Sequence, residues 1–200
     1  MVTLYWLLAL ITLSGHFRWL PVPFRGVLHC PIVHALGMKF MQEKQYQKAL
    51  DNFVLAQVPE EEASGSRAGN RNIQVNNYIA LALEAMCDKR KARDSFTLVT
   101  KLGSRMSGYI AYYQGLSHLK LGKKAQATEI FNSMISDGES QLNQGSSNPD
   151  FFAKLGAQEA ENTRRSLAYK IRGLGYKGLG QASKAEEDLK TAVNLSRSNL

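Results

Sequence analysis

The chain has 200 residues, of which 44% are hydrophobic and 21% charged, so it can bury a core for one domain or two small ones and is not disordered throughout. Lys and Arg outnumber Asp and Glu by 25 to 17, but the basic residues are scattered, so the net charge of +8 is weak evidence for nucleic-acid or membrane binding. Cys30 and Cys87 lie far apart and in no C-x-x-C pattern, which favours a reducing compartment over a disulfide framework.

Residues 1–29 form an apolar segment that differs from the rest of the chain, since no acidic residue appears before Glu43. The run at 4–13 has the length of a signal-peptide core but no Lys or Arg before it, and it is too short to span a bilayer. It is open to interpretation as a weak export signal or membrane-skimming segment, a capping helix, or a truncated start. We predict no stable transmembrane span and favour a cytoplasmic location, with export as the alternative.

A spacing of small and large residues recurs four times after residue 30. Its reference positions are Gly37, Ala80, Gly115 and Gly173. An alanine follows each by 12 residues (Ala49, Ala92, Ala127 and Ala185), and a large residue follows by 16 (Phe53, Phe96, Phe131 and Leu189). Small residues at the first two positions let antiparallel helices approach at the short end of the usual separation of about 8 to 10 Å. The large residue then fills the space toward the next unit, so the pattern predicts four stacked helical hairpins.

Short polar segments join the two helices of each predicted hairpin. They are EKQY at 43–46, CDKR at 87–90, GKKA at 122–125 and GQAS at 180–183. Gly122 and Gly180 each stand seven residues after their reference position, and Cys87 holds this place in the second unit. Segments this short connect only antiparallel neighbours.

These units resemble the tetratricopeptide repeat over residues 30–58, 73–102, 108–137 and 166–199. The resemblance implies an all-α fold, an α-solenoid of about four hairpins within residues 30–200. Two insertions interrupt the period. Residues 59–72, rich in Gly, Ser and charge, predict a long exposed loop. Residues 138–165 predict a loop and then an extra helix that starts at Asn148 and Pro149 and buries Phe151, Phe152 and Leu155.

The order of the parts resembles a larger architecture. The segments GNRN, YYQGLSHLKLG, NPDFFA and RGLGYKGLG follow one another as in the C-terminal half of certain bacterial proteins that carry an N-terminal galactose-mutarotase-like domain of unknown function. That domain has no counterpart in this sequence. The resemblance implies a helical extension of a protein connected with carbohydrate use.

No motif predicts a catalytic, cofactor or metal site. GLGYKG at 173–178 has the letters of a dinucleotide-binding loop, but no strand precedes it and it lies in the predicted first helix of the fourth unit. His29, Cys30 and His34 are close in sequence, yet no second cluster completes a metal site. No Ser-His-Asp set, H-E-x-x-H helix or phosphate loop occurs, and the chain is predicted not to be an enzyme.

Stacked hairpins create a concave groove lined by their first helices. In tetratricopeptide arrays, as the resemblance implies, groove residues precede the crossing residue by three and follow it by one, four and five. They are His34, Met38, Met41 and Gln42; Asn77, Leu81, Glu84 and Ala85; Tyr112, Leu116, Leu119 and Lys120; and Lys170, Leu174, Lys177 and Gly178. Chaperone-binding members hold a terminal carboxylate with Lys and Asn in the first repeat, where this chain has His34 and Met38, so that role is not predicted.

Three functions compete at this level. The groove predicts a scaffold-type module that binds a protein or peptide, and the same side chains equally suit packing against a neighbouring domain or the chain's own N-terminal segment. The alternative is a structural C-terminal extension of a carbohydrate-related bacterial protein. A third, nucleic-acid binding through net charge, would be steeply salt-dependent, and no specific nucleic-acid partner is predicted.

Overall fold

The computed structural model describes residues 22–57, 66–102, 108–143 and 154–196. These residues form eight α-helices and no strand. The helices are α1 (Val22–Gln42), α2 (Tyr46–Leu55), α3 (Ser66–Ala85), α4 (Lys89–Lys101), α5 (Ala111–Lys120), α6 (Lys124–Asn143), α7 (Lys154–Gly178) and α8 (Ala182–Leu195), with a short 3-10 helix, Gly108–Ile110, before α5. Each odd-numbered helix packs against the helix that follows it, and each hairpin packs against the next. The predicted all-α solenoid of four hairpins is confirmed.

The four hairpin turns have the same backbone geometry. The residue seven positions after each reference residue has a positive φ: Lys44 at 59°, Cys87 at 64°, Gly122 at 78° and Gly180 at 76°. The N–H of the next residue returns to the carbonyl five residues earlier in every turn, at 2.9 or 3.0 Å, from Gln45 to Phe40, Asp88 to Leu83, Lys123 to His118 and Gln181 to Tyr176. This is the Schellman ending of a helix, which favours glycine at the left-handed position. Lys44 and Cys87 hold the same geometry at a steric cost.

In the first, third and fourth units the helix crossing depends on bare backbone at the reference position, whereas the second unit has Ala80 there. A Cβ atom on Gly37 would lie 2.5 Å from Cε1 of Phe53, and one on Gly115 would lie 2.4 Å from Cε1 of Phe131. At Gly173 the neighbours are Cβ of Asp188 at 3.0 Å and the carbonyl oxygen of Ala185 at 3.3 Å. Small residues therefore mark the crossings as predicted. In the first and third units, however, the closest contact is the ring 16 residues later and not the alanine.

Phe131 also reaches the next unit. A Cβ atom on Gly178 would lie 2.4 Å from this ring, so Phe131 fits between α5 and α7 with glycine on both sides. Helices α6 and α7 approach closely as well, because a Cβ atom on Gly175 would lie 2.8 Å from the carbonyl oxygen of Phe131, and one on Gly138 would lie 2.7 Å from Cβ of Arg172. The glycines of GLGYKG are thus packing positions inside α7.

A partly buried ion pair links α7 to α8. The Arg172 guanidinium donates from Nε to one oxygen of Asp188 at 2.7 Å and from Nη2 to the other at 2.8 Å. Asp188 is buried, and its hydrogen bonds raise the pKa of Arg172. A bidentate pair of this kind fixes the relative rotation of the two helices.

Both insertions are more helical than predicted. Helix α3 begins at Ser66, so the second half of the expected loop at 59–72 is helix. Helix α6 continues to Asn143, so residues 138–143 belong to the third unit, and α7 runs unbroken from Lys154, so residues 154–165 belong to the first helix of the fourth unit and not to a separate extra helix. No Gly or Pro interrupts residues 157–172, which allows the helix to continue.

Several expectations fall outside what the structure describes. Residues 1–21 lie outside the described ranges, and α1 starts at Val22 rather than near residue 30. The predicted helix start at Asn148 and Pro149, with Phe151 and Phe152, also lies outside them. Leu155 lies in α7, in the part of that helix where the structure describes the backbone alone.

Relief of the strained turn in the second unit should stabilise the chain. Cys87→Gly is expected to raise the free energy of unfolding by about 1 kcal/mol, since glycine accepts a positive φ without steric cost. Gly122→Ala is the matched reverse change: nothing lies within 4 Å of its new Cβ atom, so only backbone strain acts. It should lower stability by about 1 kcal/mol. Urea denaturation measures both, Cys87→Ser controls for loss of the thiol, and an unaltered Gly122→Ala midpoint would contradict the expectation.

Added bulk beside Phe131 should be much more costly. Gly178→Ala places a methyl group inside the ring's contact distance, and overpacking of a buried ring costs on the order of 1 to 3 kcal/mol. Phe131→Leu alone should also destabilise, through a cavity. The two changes share one space, so the double variant should lose less stability than the sum of the single variants. Strict additivity in denaturant titrations would show that the ring and the glycine do not interact.

Candidate functional site

The candidate site is the face formed by α1, α3, α5 and α7, which we call the first-helix face. The residue after each reference position is a large apolar one, and all four are half-buried: Met38, Leu81, Leu116 and Leu174. Each packs with its inner side against a buried cluster. We call these four residues the apolar row, since one member comes from each unit in succession.

The positions further along each first helix are more exposed. Met41 is half-buried, whereas Gln42, Glu84, Ala85, Leu119, Lys120 and Lys177 are exposed. Nζ of Lys120 donates to Oε2 of Glu84 at 2.5 Å, which links α5 to α3. Both side chains are more than 40% exposed, so the pair adds at most about 1 kcal/mol to stability. The pair also neutralises the negative charge of Glu84 on this face.

Asn77 and Gly178, both predicted groove residues, do not face outward. Asn77 is 1% exposed and donates from Nδ2 to Oγ of Ser117 at 2.9 Å and to the carbonyl of Tyr113 at 3.3 Å. It therefore binds α3 to α5 and is not accessible to a partner in this arrangement. Gly178 lies against the Phe131 ring.

Aromatic rings connect neighbouring first helices beneath the face. The His34 ring lies 5.2 Å from Tyr78, Tyr78 lies 5.9 Å from Tyr113, and Tyr113 lies 5.9 Å from Tyr112. Gln74 donates to the Tyr113 hydroxyl at 2.9 Å, and burial raises the pKa of that hydroxyl. Tyr78 and Tyr113 are absent from the predicted set. The available signal was a tyrosine two residues before the reference position in both middle units.

The third and fourth units meet at a cation and an aromatic ring. Nζ of Lys170 lies 4.9 Å from the centre of the Tyr109 ring, within the range of a cation–π contact. Burial lowers the pKa of Lys170. Tyr109 and Leu167 lie six residues before their reference positions, are 39% and 38% exposed, and were not predicted as part of the face.

A shallow depression adjoins Lys177 on the side of α8. It is lined by Lys177, Ala182, Ala185, Glu186, Leu189, Lys190, Val193 and Asn194. In the third unit, the residues equivalent to Leu189 and Val193 are Phe131 and Ile135, which contact Gly178 and Gly175 of α7. The depression thus corresponds to the position where a further first helix would pack.

The first-helix face carries apolar, aromatic and cationic side chains. Among the described residues there is no group of three or more His, Cys, Asp or Glu placed to hold a metal ion. No helix in the described ranges is both long and apolar enough to cross a bilayer. What the first helices bring together is the apolar row, several aromatic rings and the ammonium groups of Lys120, Lys170 and Lys177.

No protein-family model and no curated protein matches the chain. Two similar solved structures are "MamA 41-end from Desulfovibrio magneticus RS-1" and "MamA RS-1 ArsTM double mutant". The first is 16% identical, covers 86% of this chain and 78% of that chain, and has a TM-score of 0.34. The second is 17% identical with the same coverage and a TM-score of 0.32. At these TM-scores the likeness supports no conclusion, and the solenoid fold is defined by the packed helix pairs of this chain.

Stability should fall as the pH drops below about 6.5, because two histidines resist protonation in the folded chain. Burial, and then the charge of Arg71, lowers the pKa of His34 from its ordinary value of 6.5, and burial with Lys123 lowers that of His118. Above this value both histidines are neutral whether the chain is folded or unfolded. Below it the unfolded chain binds more protons, so the free energy of unfolding falls as the pH is lowered, until the pH passes below the folded-state pKa.

Urea midpoints measured between about pH 5 and pH 8 test this linkage. His34→Gln and His118→Gln should each reduce the dependence on pH, and the double variant should reduce it further. A double variant with the same pH profile as the parent chain would show that other groups cause the effect.

Proposed function

We propose that the chain is a non-enzymatic interaction module that binds a protein or peptide segment along the first-helix face. The apolar row carries this proposal. Four large apolar side chains, one from each unit, stay half-buried on a face that no described helix covers. Aligned apolar side chains on a rigid array are typical of sites that take the apolar side of a partner segment.

The rigidity of the face supports the same function. The rings of His34, Tyr78 and Tyr113 and the amide of Asn77 hold successive first helices in register. A partner would therefore meet preformed contacts and would not have to order the array first, which lowers the entropic cost of binding.

The second candidate is docking of a neighbouring domain from a longer chain. The GNRN and NPDFFA segments favour it, because they resemble the helical half of mutarotase-like bacterial proteins. In that case the apolar row would be covered permanently by the adjoining domain. In a longer expressed chain that contains such a domain, the apolar row should be protected from solvent. That chain should not capture a separate partner in a pull-down.

Substitution of one exposed leucine on the face tests the main proposal. Leu119→Asp places a charge beside the apolar row at a residue that is 39% exposed, so the fold should tolerate it. The variant loses the apolar contact of Leu119 and would bury the Asp charge against a bound partner. Partner recovery should therefore fall at least about tenfold. Tyr112→Ala and Leu116→Ala also probe this face, but Tyr112 lies 6.0 Å from the Phe131 ring, so both need a stability measurement beside them.

Leu98→Asp is the matched control, since Leu98 is 44% exposed and lies on α4, a second helix. A photo-crosslinking pull-down from a lysate of the source cells compares the parent chain with both variants. Recovery that falls for Leu119→Asp and holds for Leu98→Asp supports the first-helix face. Equal recovery from both variants contradicts it.

A further inference from the structure

We propose that the open side of α8 is a second docking surface, which binds a partner helix with two small residues three positions apart on its apolar side. This surface lies at the end of the array, is separate from the first-helix face and adds a second partner site to the interaction function above. The way in which each second helix of this chain receives the next first helix indicates what would bind there.

The large residue 16 positions after the reference residue is covered wherever a further hairpin follows. Phe53, Phe96 and Phe131 are at most 3% exposed. Leu189 has the same place in the fourth unit and is half-buried. Among the described residues no helix follows α8, so its outer side lacks the neighbour that the other three second helices have. The depression beside Lys177 is the space that this neighbour would occupy.

The fourth unit resembles the third in the side chains that it offers to a neighbour. Twenty residues after the reference position, Ile135 and Val193 are apolar, whereas Gln57 and Thr100 in the first two units are polar. Val193 is half-buried, as Ile135 is. The helix that packs on the third unit, α7, therefore indicates the kind of helix that fits on α8.

Two glycines of α7 make its packing on the third unit possible. A Cβ atom on Gly175 would lie 2.8 Å from Cγ1 of Ile135, and one on Gly178 would lie 2.4 Å from the Phe131 ring. These distances leave no room for a methyl group. In α8 the equivalent pair is Leu189 and Val193, so a helix that approaches α8 as α7 approaches α6 needs small residues at the same spacing.

Shape and not charge sets the selection at this surface. The apolar lining of the depression consists of Ala182, Ala185, Leu189 and Val193, and the polar lining consists of Lys177, Glu186, Lys190 and Asn194. Nζ of Lys190 lies 2.7 Å from Oε1 of Glu186, and both side chains are exposed. Because the polar lining contains charges of both signs, the apolar contact and the closeness of the two backbones decide what binds.

The other end of a second copy does not meet this requirement. In α1, Lys39 and Gln42 stand at the positions that Gly175 and Gly178 hold in α7. Both side chains are exposed, and Nζ of Lys39 lies 3.7 Å from Oε1 of Glu43. Side chains of this length would hold α1 away from the depression, so the occupant is a helix of another protein.

A labelled peptide of residues 160–180 tests this surface, because it contains the two glycines in their own sequence. The control peptide carries Gly175→Leu and Gly178→Leu. Leucine favours helix formation more than glycine does, so weaker binding of the control reports loss of close approach and not loss of helix. Fluorescence anisotropy should show the glycine peptide binding to the full chain at least about tenfold more tightly than the control.

Val193→Lys locates the binding site on the chain. The lysine stem can lie along an uncovered surface with its ammonium group in water, so the fold should tolerate it, whereas a docked helix would bury the charge. Binding of the glycine peptide should fall at least about tenfold, and Val193→Ala, which adds no bulk or charge, should weaken it less. Leu98→Lys on α4 is the matched control, since Leu98 is 44% exposed, and it should leave binding unchanged. Thermal unfolding verifies the fold of each variant.

Three results would overturn this assignment: equal binding of the two peptides, binding of neither, or binding that survives Val193→Lys. Peptide binding that is lost with Leu119→Asp would place the peptide on the first-helix face and would also overturn it. Sedimentation equilibrium of the chain alone distinguishes a second copy, since dimers that Val193→Lys abolishes would make the chain its own partner at this surface, contrary to the proposal. A monomeric parent chain with glycine-dependent peptide binding supports docking of a partner helix on α8.

Discussion

In the first and third units, contact between an aromatic ring and bare helix backbone sets the geometry of the hairpin. Phe53 lies on Gly37, and Phe131 lies between Gly115 and Gly178, at distances that leave no room for a methyl group. Because the ring fills the space between two helices, it fixes how closely they approach and also how the next unit is placed. The identical turns then fix the direction of each second helix. The spacing within a unit and the stacking between units thus depend on the same few atoms. These contacts also determine how the side chains of the first-helix face are aligned.

The sequence was sufficient for the parts of the fold that depend on local spacing. The offsets of 7, 12 and 16 residues identify the turns and crossings, because each contact lies within one hairpin. The helix ends in the two insertions were not predictable in this way. Residues 66–72 contain one Gly and two Asn, which have weak helix preference, yet they form the start of α3. The approach of Gly138 to Arg172 depends on a contact between two units, which no local pattern reports.

The sequence predicts which residues lie on the first-helix face where the position along the helix alone determines it. It does not predict them where a side chain bonds to or reaches a neighbouring helix. The apolar row follows from its position one residue after each crossing. Asn77 shares the offset of Tyr112 but turns inward, because its amide finds Ser117 in the next hairpin. Tyr78, Tyr109 and Tyr113 were missed because their rings reach a neighbouring first helix, and that contact is visible only when both helices are in place.

The packing residues and the exposed residues of α7 lie on different sides of the helix. Successive residues of a helix are about 100° apart. The positions that pack on α8, such as Ser166 and Gly173, and those that pack on α6, such as Gly175, therefore lie on opposite sides of the exposed residues Leu167 and Lys177. A substitution at Lys170 or Lys177 therefore alters charge on the open side while the glycine contacts stay intact. Within a rigid array of this kind, exposed side chains of one helix can change while buried contacts on its other sides hold the backbone that positions them.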